Sequence, residues 1–165
     1  MKYSTFLATL LAAWLLSSCA PYGRDSGDSP RLAAERQIYL AVIGRPAAQP
    51  PTLTLTPIKV LFVSLGQQSE QTDPDPSLLL LVPHSALAIE PFSACDFLPS
   101  AIVDHRTGAR GLVLQLGPIR WENDDQANLT ATTWLAQGLG QMQVHHLTLK
   151  NGQWTIQQSQ PLGPA

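Results

Sequence analysis

Cysteine is nearly absent from this chain of 165 residues, which has only Cys19 and Cys95. Two thiols allow one disulfide at most, so a disulfide-stapled scaffold is excluded. An apolar run long enough to cross a bilayer, about 20 residues, is also missing. No glycine-rich loop follows a strand-like segment in the manner that cradles phosphates, and no nucleophile elbow is present. The acids never take the alternating spacing and closing glutamate of an EF-hand. Ten Lys and Arg stand against twelve Asp and Glu, and the basic residues form no clustered face of the kind nucleic acid requires. These absences leave no expected cofactor, no expected metal and no nucleic-acid partner.

What is present begins at the N-terminus. Lys2 precedes the apolar run at 6–16, eleven residues interrupted by Thr9, which has the size of the h-region of a secretory signal. Leu16-Ser17-Ser18-Cys19 follows and resembles the lipobox of bacterial lipoproteins. The resemblance implies a diacylglycerol on the Cys19 thiol, cleavage by signal peptidase II between Ser18 and Cys19, and acylation of the new amine. Two or three chains, at about 0.8 kcal/mol per buried methylene, anchor stably. Ala20 stands where an Asp is the inner-membrane retention signal in enteric bacteria, so the expectation is the cell envelope, on the periplasmic face of the outer membrane if the host has one.

The mature chain would have 147 residues, nine basic and twelve acidic, enough for one domain that buries about two-thirds of its unfolded surface. With Cys19 spent on lipid, Cys95 has no partner. It reads as a small buried hydrophobe rather than a nucleophile. Residues 1–18 are thus expected to be the signal peptide, 19–28 (CAPYGRDSGD) the lipidated cysteine and a flexible tether, 29–160 a single domain and 161–165 a tail.

Within the domain, Ser29-Pro30 reads as an N-cap with proline at the first helical position. An amphipathic helix is expected over 31–43, with Leu32, Arg36, Tyr39 and Ile43 on one stripe, Ile38 and Val42 beside it, and Gly44 and Pro46 ending it. Residues 47–57 read as an extended surface connection. A strand is expected at 58–65, and the apolar SLLLLV at 77–82 suits a buried strand, which periodicity alone does not separate from a helical turn. Residues 85–100 show no clear pattern. From 101 onward strand runs and turn signals alternate: a short strand at 101–104, then 111–121, 126–136 and 141–150. Leu112, Leu114 and Leu116 differ in parity from Ile119 and Trp121, and a bulge at Gly117-Pro118 would bring both sets to one face. Asn151-Gly152 suits a type I′ turn, which would set Leu149 opposite Trp154 and Leu147 opposite Ile156. The expected fold is α+β, one N-terminal amphipathic helix packed on a mainly antiparallel sheet that ends in a β-meander.

The run TGARGLVLQLGPIRWENDDQANLT, the later GLGQM and the closing NGQWTI, within 101–158, resemble a group of uncharacterised bacterial envelope proteins with a terminal G-x-W-x-V/I strand. That resemblance implies a fold and no residue roles. Thr133-Trp134 stands where such proteins often have paired tyrosines. The helix followed by sheet and the terminal G-x-W-x-I also resemble NTF2-like domains, which implies a ligand pocket on the sheet.

Among candidate sites, His145-His146 cannot easily converge on one metal, because adjacent strand residues point to opposite faces. His145 falls on the Leu147 and Leu149 face, and a pocket lined by His145, Trp134 and Trp154 is the one candidate site. Asp104-His105 reads as a turn, as do Glu122, Asp124 and Asp125. Two expectations follow. The first is a lipid-anchored binding or assembly module with an envelope protein partner. The alternative is a small hydrolase or a ligand-binding NTF2-like domain with its pocket around His145.

Overall fold

The computed structural model describes residues 29–48, 56–67, 70–83 and 85–165. Cys19, its lipobox and the 19–28 tether lie outside the described residues, as does most of the 47–57 connection.

Helix α1 (Pro30–Ala48) starts as its sequence requires. The Leu32 N–H donates to Ser29 Oγ at 3.3 Å, and Pro30 has no N–H to leave unpaired. Its buried residues are Ile38, Val42, Ile43 and Ala47, two i, i+4 pairs facing the sheet. The stripe therefore centres on Ile38 and Val42, and Leu32 is 46% exposed. Arg31 holds that end instead, its guanidinium 3.6 Å over the Trp121 ring. The helix also runs past Gly44 and Pro46, where it was expected to stop. Pro46 weakens the last turn by withholding an N–H, but Ala47 is fully buried. The Ala47 carbonyl accepts from the Ala86 N–H at 3.1 Å and the Ser85 hydroxyl at 3.4 Å. Tertiary partners thus complete the turn that local sequence would abandon.

Strand β1 (Val60–Leu65) is followed by α2 (Pro76–Leu80), the helical turn rather than the buried strand that the same apolar run allowed. The start signal explains the difference. The Ser77 N–H donates to Asp75 Oδ1 at 2.7 Å with Pro76 at the first helical position, and this cap outweighs the apolar run. Only Leu78 of α2 is buried, and Leu80 is 86% exposed. The 85–100 stretch supplies β2 (Ala88–Pro91), a 3₁₀ turn (Phe92–Ala94) and β3 (Cys95–Phe97). Then come β4 (Ile102–Asp104), β5 (Arg110–Trp121), β6 (Gln126–Ala136), β7 (Leu139–Lys150) and β8 (Gln153–Pro164).

These strands form one open sheet of eight, in the order β2-β1-β5-β6-β7-β8, with β3 and β4 continuing beside the start of β5. Pairing is antiparallel except where β1 runs parallel to both β2 and β5. The fold is α+β, one main helix on a largely antiparallel sheet. The register skips between Leu116 and Ile119, so the Gly117-Pro118 bulge does bring Leu116, Ile119 and Trp121 onto the face that packs the helix. The final hairpin has Lys150 opposite Gln153, Leu149 opposite Trp154 and Leu147 opposite Ile156, with Asn151 and Gly152 at φ 52° and 77°. Strand β8 runs through the residues expected as a tail.

The core divides across the sheet. On the helix side, Leu61, Leu112, Leu116, Leu129 and Leu147 pack beneath Ile38, Val42 and Ile43. On the other side a smaller cluster of Val60, Phe62, Ile102 and Val113 is covered by Phe92, Cys95, Phe97 and Trp134. Both faces of β5 are buried at its start, whereas among the described residues β7 is buried on the helix side and half-buried on the other.

Candidate functional site

The helix face of the sheet is apolar toward the Asn151 turn and polar at its other end. The row Leu149, Leu147, His145, Gln143, Gln141 along β7 makes that change within one strand, because residues two apart share a face. The C-terminal turn of α1 lies over the polar end and brings Arg45 to it. His145 and Ser159 are directly opposed on β7 and β8, and Ser159 Oγ stands 2.8 Å from His145 Nδ1. Arg45 Nη1 donates to the same Ser159 Oγ.

The order of donors follows from chemistry. A guanidinium only donates, so Arg45 occupies a lone pair of the Ser159 oxygen and leaves the hydroxyl proton unspent. His145 Nδ1 is the acceptor that the described residues offer that proton. With the hydroxyl proton given to Nδ1, the chain runs from Arg45 through Ser159 to His145 and the imidazole proton sits on Nε2; with Nδ1–H donating to the second lone pair of the same oxygen, Nε2 is the acceptor instead. His145 is 5% exposed, and burial, then the charges of Arg45 and His146, hold its pKa down to about 4. The ring is neutral near pH 7.

Two cavities flank Arg45. One, of about 460 Å³, runs along β8 and is lined by Trp154, Thr155, Gln157, Gln158 and Ser159 with Ala41 and Arg45 from the helix. The other, of about 220 Å³, is lined by His145, Gln141, Gln143 and Thr133, with Arg45, Pro46, Val42 and Leu114. Among the described residues no carboxylate lines either one. Within the described residues His145 Nε2 makes no hydrogen bond.

Of the three residues expected to share a pocket, His145 and Trp154 border this gap and Trp134 does not. Trp154 packs edge-on against Trp121 at 5.4 Å and lines the larger cavity. Trp134 is on the opposite face, because β6 sets Leu129 against His145 and Trp134 against Gly140. Five residues separate Leu129 from Trp134, and odd spacing reverses the face. There Trp134 donates from Nε1 to Gln115 Oε1 at 3.2 Å and meets Phe97 edge-on at 6.2 Å. That open face has a hollow of about 570 Å³ lined by Gln115, Thr130, Thr132, Arg120 and Met142, among others. The Gln115 amide is committed at both ends, since its Nε2 donates to the Gly66 carbonyl at 3.2 Å. Its polarity serves the fold.

The other candidates are structural. Asp104 Oδ1 accepts from the Arg106 N–H, the Thr107 N–H and the Thr107 hydroxyl at 3.0, 2.6 and 2.9 Å. Those bonds keep its carboxyl below the usual range, and the segment is a turn. At Glu122 to Asp125, the Asn123 side chain accepts the Asp125 N–H at 3.0 Å, again a turn. His146 lies half-buried on the face away from His145. Cys95 is half-buried, and burial, with Asp96 and Asp73 nearby, pushes its thiol up to about 11. A thiol held protonated is a poor nucleophile. Arg45 and Ser159 escape a reading of the sequence. Counted from the Asn151 turn, an unbroken register sets Gln158 opposite His145, and a bulge at Gln157 moves Ser159 into that place.

No family model matches the chain, and neither the curated proteins nor the solved structures give a significant match.

Proposed function

We propose that the protein is a lipid-anchored envelope lipoprotein whose domain is a binding module, with its ligand site in the gap between the C-terminal turn of α1 and the polar end of β7 and β8. The anchor rests on Leu16-Ser17-Ser18-Cys19. The observation that carries the binding reading is the Arg45–Ser159–His145 chain, which keeps a buried imidazole and a guanidinium poised beside cavities of about 220 and 460 Å³. Binding sites are hollows with a few placed polar groups and supporting bonds behind them. The outer membrane, an envelope protein partner and the expectation of no nucleic acid belong to the same reading.

The anchor is tested by labelling cells with a fatty acid analogue. Wild type should incorporate label and Cys19→Ala should not, and equal labelling overturns the anchor. The site is tested with a photo-crosslinking residue at Gln158, which lines the larger cavity, and at Lys150, which does not. A discrete adduct formed at Gln158 and lost with Arg45→Gln supports the module. Adducts that are equal at both positions overturn it.

The Ser159–His145 bond also favours a second reading, a hydrolase with Ser159 as nucleophile. Its chemistry is poorly matched. A base with a pKa near 4 gains little from taking a proton near pH 7, and Arg45 draws on the oxygen that would attack. Turnover of short nitrophenyl esters that disappears with Ser159→Ala would establish this reading. Rates equal to those of Ser159→Ala would remove it.

A further inference from the structure

We infer that the smaller cavity, lined by Arg45, His145, Gln141 and Gln143, is a carboxylate-binding site. The inference rests on the binding reading above and names its ligand class. The cavity's polar groups can donate, and Arg45 does nothing else. Arg45 is a fixed cation with one described bond, to Ser159, and its fork has further N–H groups to offer. The inference takes the arrangement in which Ser159 donates to Nδ1, so that His145 Nε2 is a donor with no partner among the described residues. Nε2 is not a sealed orphan, since among the described residues only Ser64 Oγ is one, and Nε2 is open to an acceptor that enters the cavity. The Gln141 and Gln143 amides adjoin it, and among the described residues no Asp or Glu lines the cavity.

Charge and size choose the anion. One guanidinium beside a neutral imidazole balances one negative charge, not the two of a phosphate monoester. A planar carboxylate matches the guanidinium fork, and about 220 Å³ admits a carboxylate with a short attached chain. The C-terminal pole of α1 is negative, so it favours Arg45 and opposes the anion. Arg45 is therefore indispensable to binding, and the Ala47 carbonyl at that pole is already occupied by Ser85 and Ala86.

The test uses the full chain in detergent with ¹⁵N-labelled histidine. Before any addition, the His145 imidazole should show a protonated Nε2 and an accepting Nδ1, and the opposite tautomer overturns the inference. Acetate, succinate and a dipeptide with a free C-terminus should each shift the Nε2–H resonance saturably, whereas the amidated dipeptide should not. Tighter binding of the free dipeptide assigns the carboxylate to a peptide end, and tighter binding of succinate assigns it to a small acid. Arg45→Gln should weaken binding by about 10- to 100-fold, the range of a charge-assisted bond, with Arg45→Lys between it and wild type. The same shift from the amidated dipeptide, or a preference for inorganic phosphate, overturns the carboxylate class while leaving a binding module. No shift from any addition, together with equal adducts at Gln158 and Lys150, removes both.

Discussion

Arg45, Ser159 and His145 show how one donor-only side chain governs its neighbours, and the consequence for His145 is measurable. Its folded pKa, about 4, lies below the ordinary 6.5. Above pH 6.5 the ring is neutral in both folded and unfolded chains, and its contribution is complete. Between 6.5 and 4 the unfolded chain takes up a proton that the folded chain refuses, so stability falls with pH and levels off below 4. The loss is at most about 3 kcal/mol. Among the described residues Arg45 from α1 is the charge that faces the ring, and His146, its neighbour on β7, acts on it from the opposite face of the strand. Urea midpoints for wild type and His145→Gln should diverge as pH drops from 7 to 4.5, the wild type falling faster. Parallel curves would contradict the buried neutral ring. At this scale the sequence was half legible. The parity of β7 put His145 on the core face, whereas its partner depended on a bulge at Gln157 that no turn signal announces.

Elements are set by caps and turns where those are strong and by packing where they are not, and two glycines mark the difference. Gly140 opposes Trp134, and a Cβ there would meet the indole ring at 2.5 Å. Gly140→Ala must displace Trp134 from Gln115 and Phe97, at a cost of about 1–3 kcal/mol as an overpacked site. Gly44 lies inside α1 with nothing within 4 Å of its added Cβ, so Gly44→Ala should stabilise by about 0.5–1 kcal/mol. Chemical denaturation of the two variants should move in opposite directions, with altered tryptophan emission for Gly140→Ala alone. A stable Gly140→Ala with unchanged emission would show that the ring is not held there. The Asn151-Gly152 hairpin and the Gly117-Pro118 bulge were readable because a turn type or a parity conflict is written locally. The end of α1 was not, because Ser85 and Ala86, nearly forty residues away, supply its last partners. The 77–82 run shows the converse, a local cap at Asp75-Pro76 overriding apolar composition.

At the scale of the molecule, helix and meander were legible since their periods differ, and the parallel pairing was not. β1 is buried on both faces and joins β2 to β5, which a single apolar run cannot reveal. The chain end was misjudged for a related reason, as its Pro/Gly composition suggests a tail. Pro161, Gly163 and Pro164 nevertheless stand opposite Gln143, Met142 and Gln141, and the Ala165 N–H donates to the Gly140 carbonyl at 3.1 Å. Prolines suit this position because β8 is the edge strand and its outer side needs no donors. The strand end thus backs the part of β7 that lines the smaller cavity. A chain ending at Gln160 should keep the Asn151 hairpin but lose about 1–3 kcal/mol, with faster amide exchange at residues 140–143 and weaker carboxylate binding than wild type. Unchanged exchange there would mean that β7 holds its shape without β8, and the support for the Gln141 and Gln143 amides would then have to come from β6 alone.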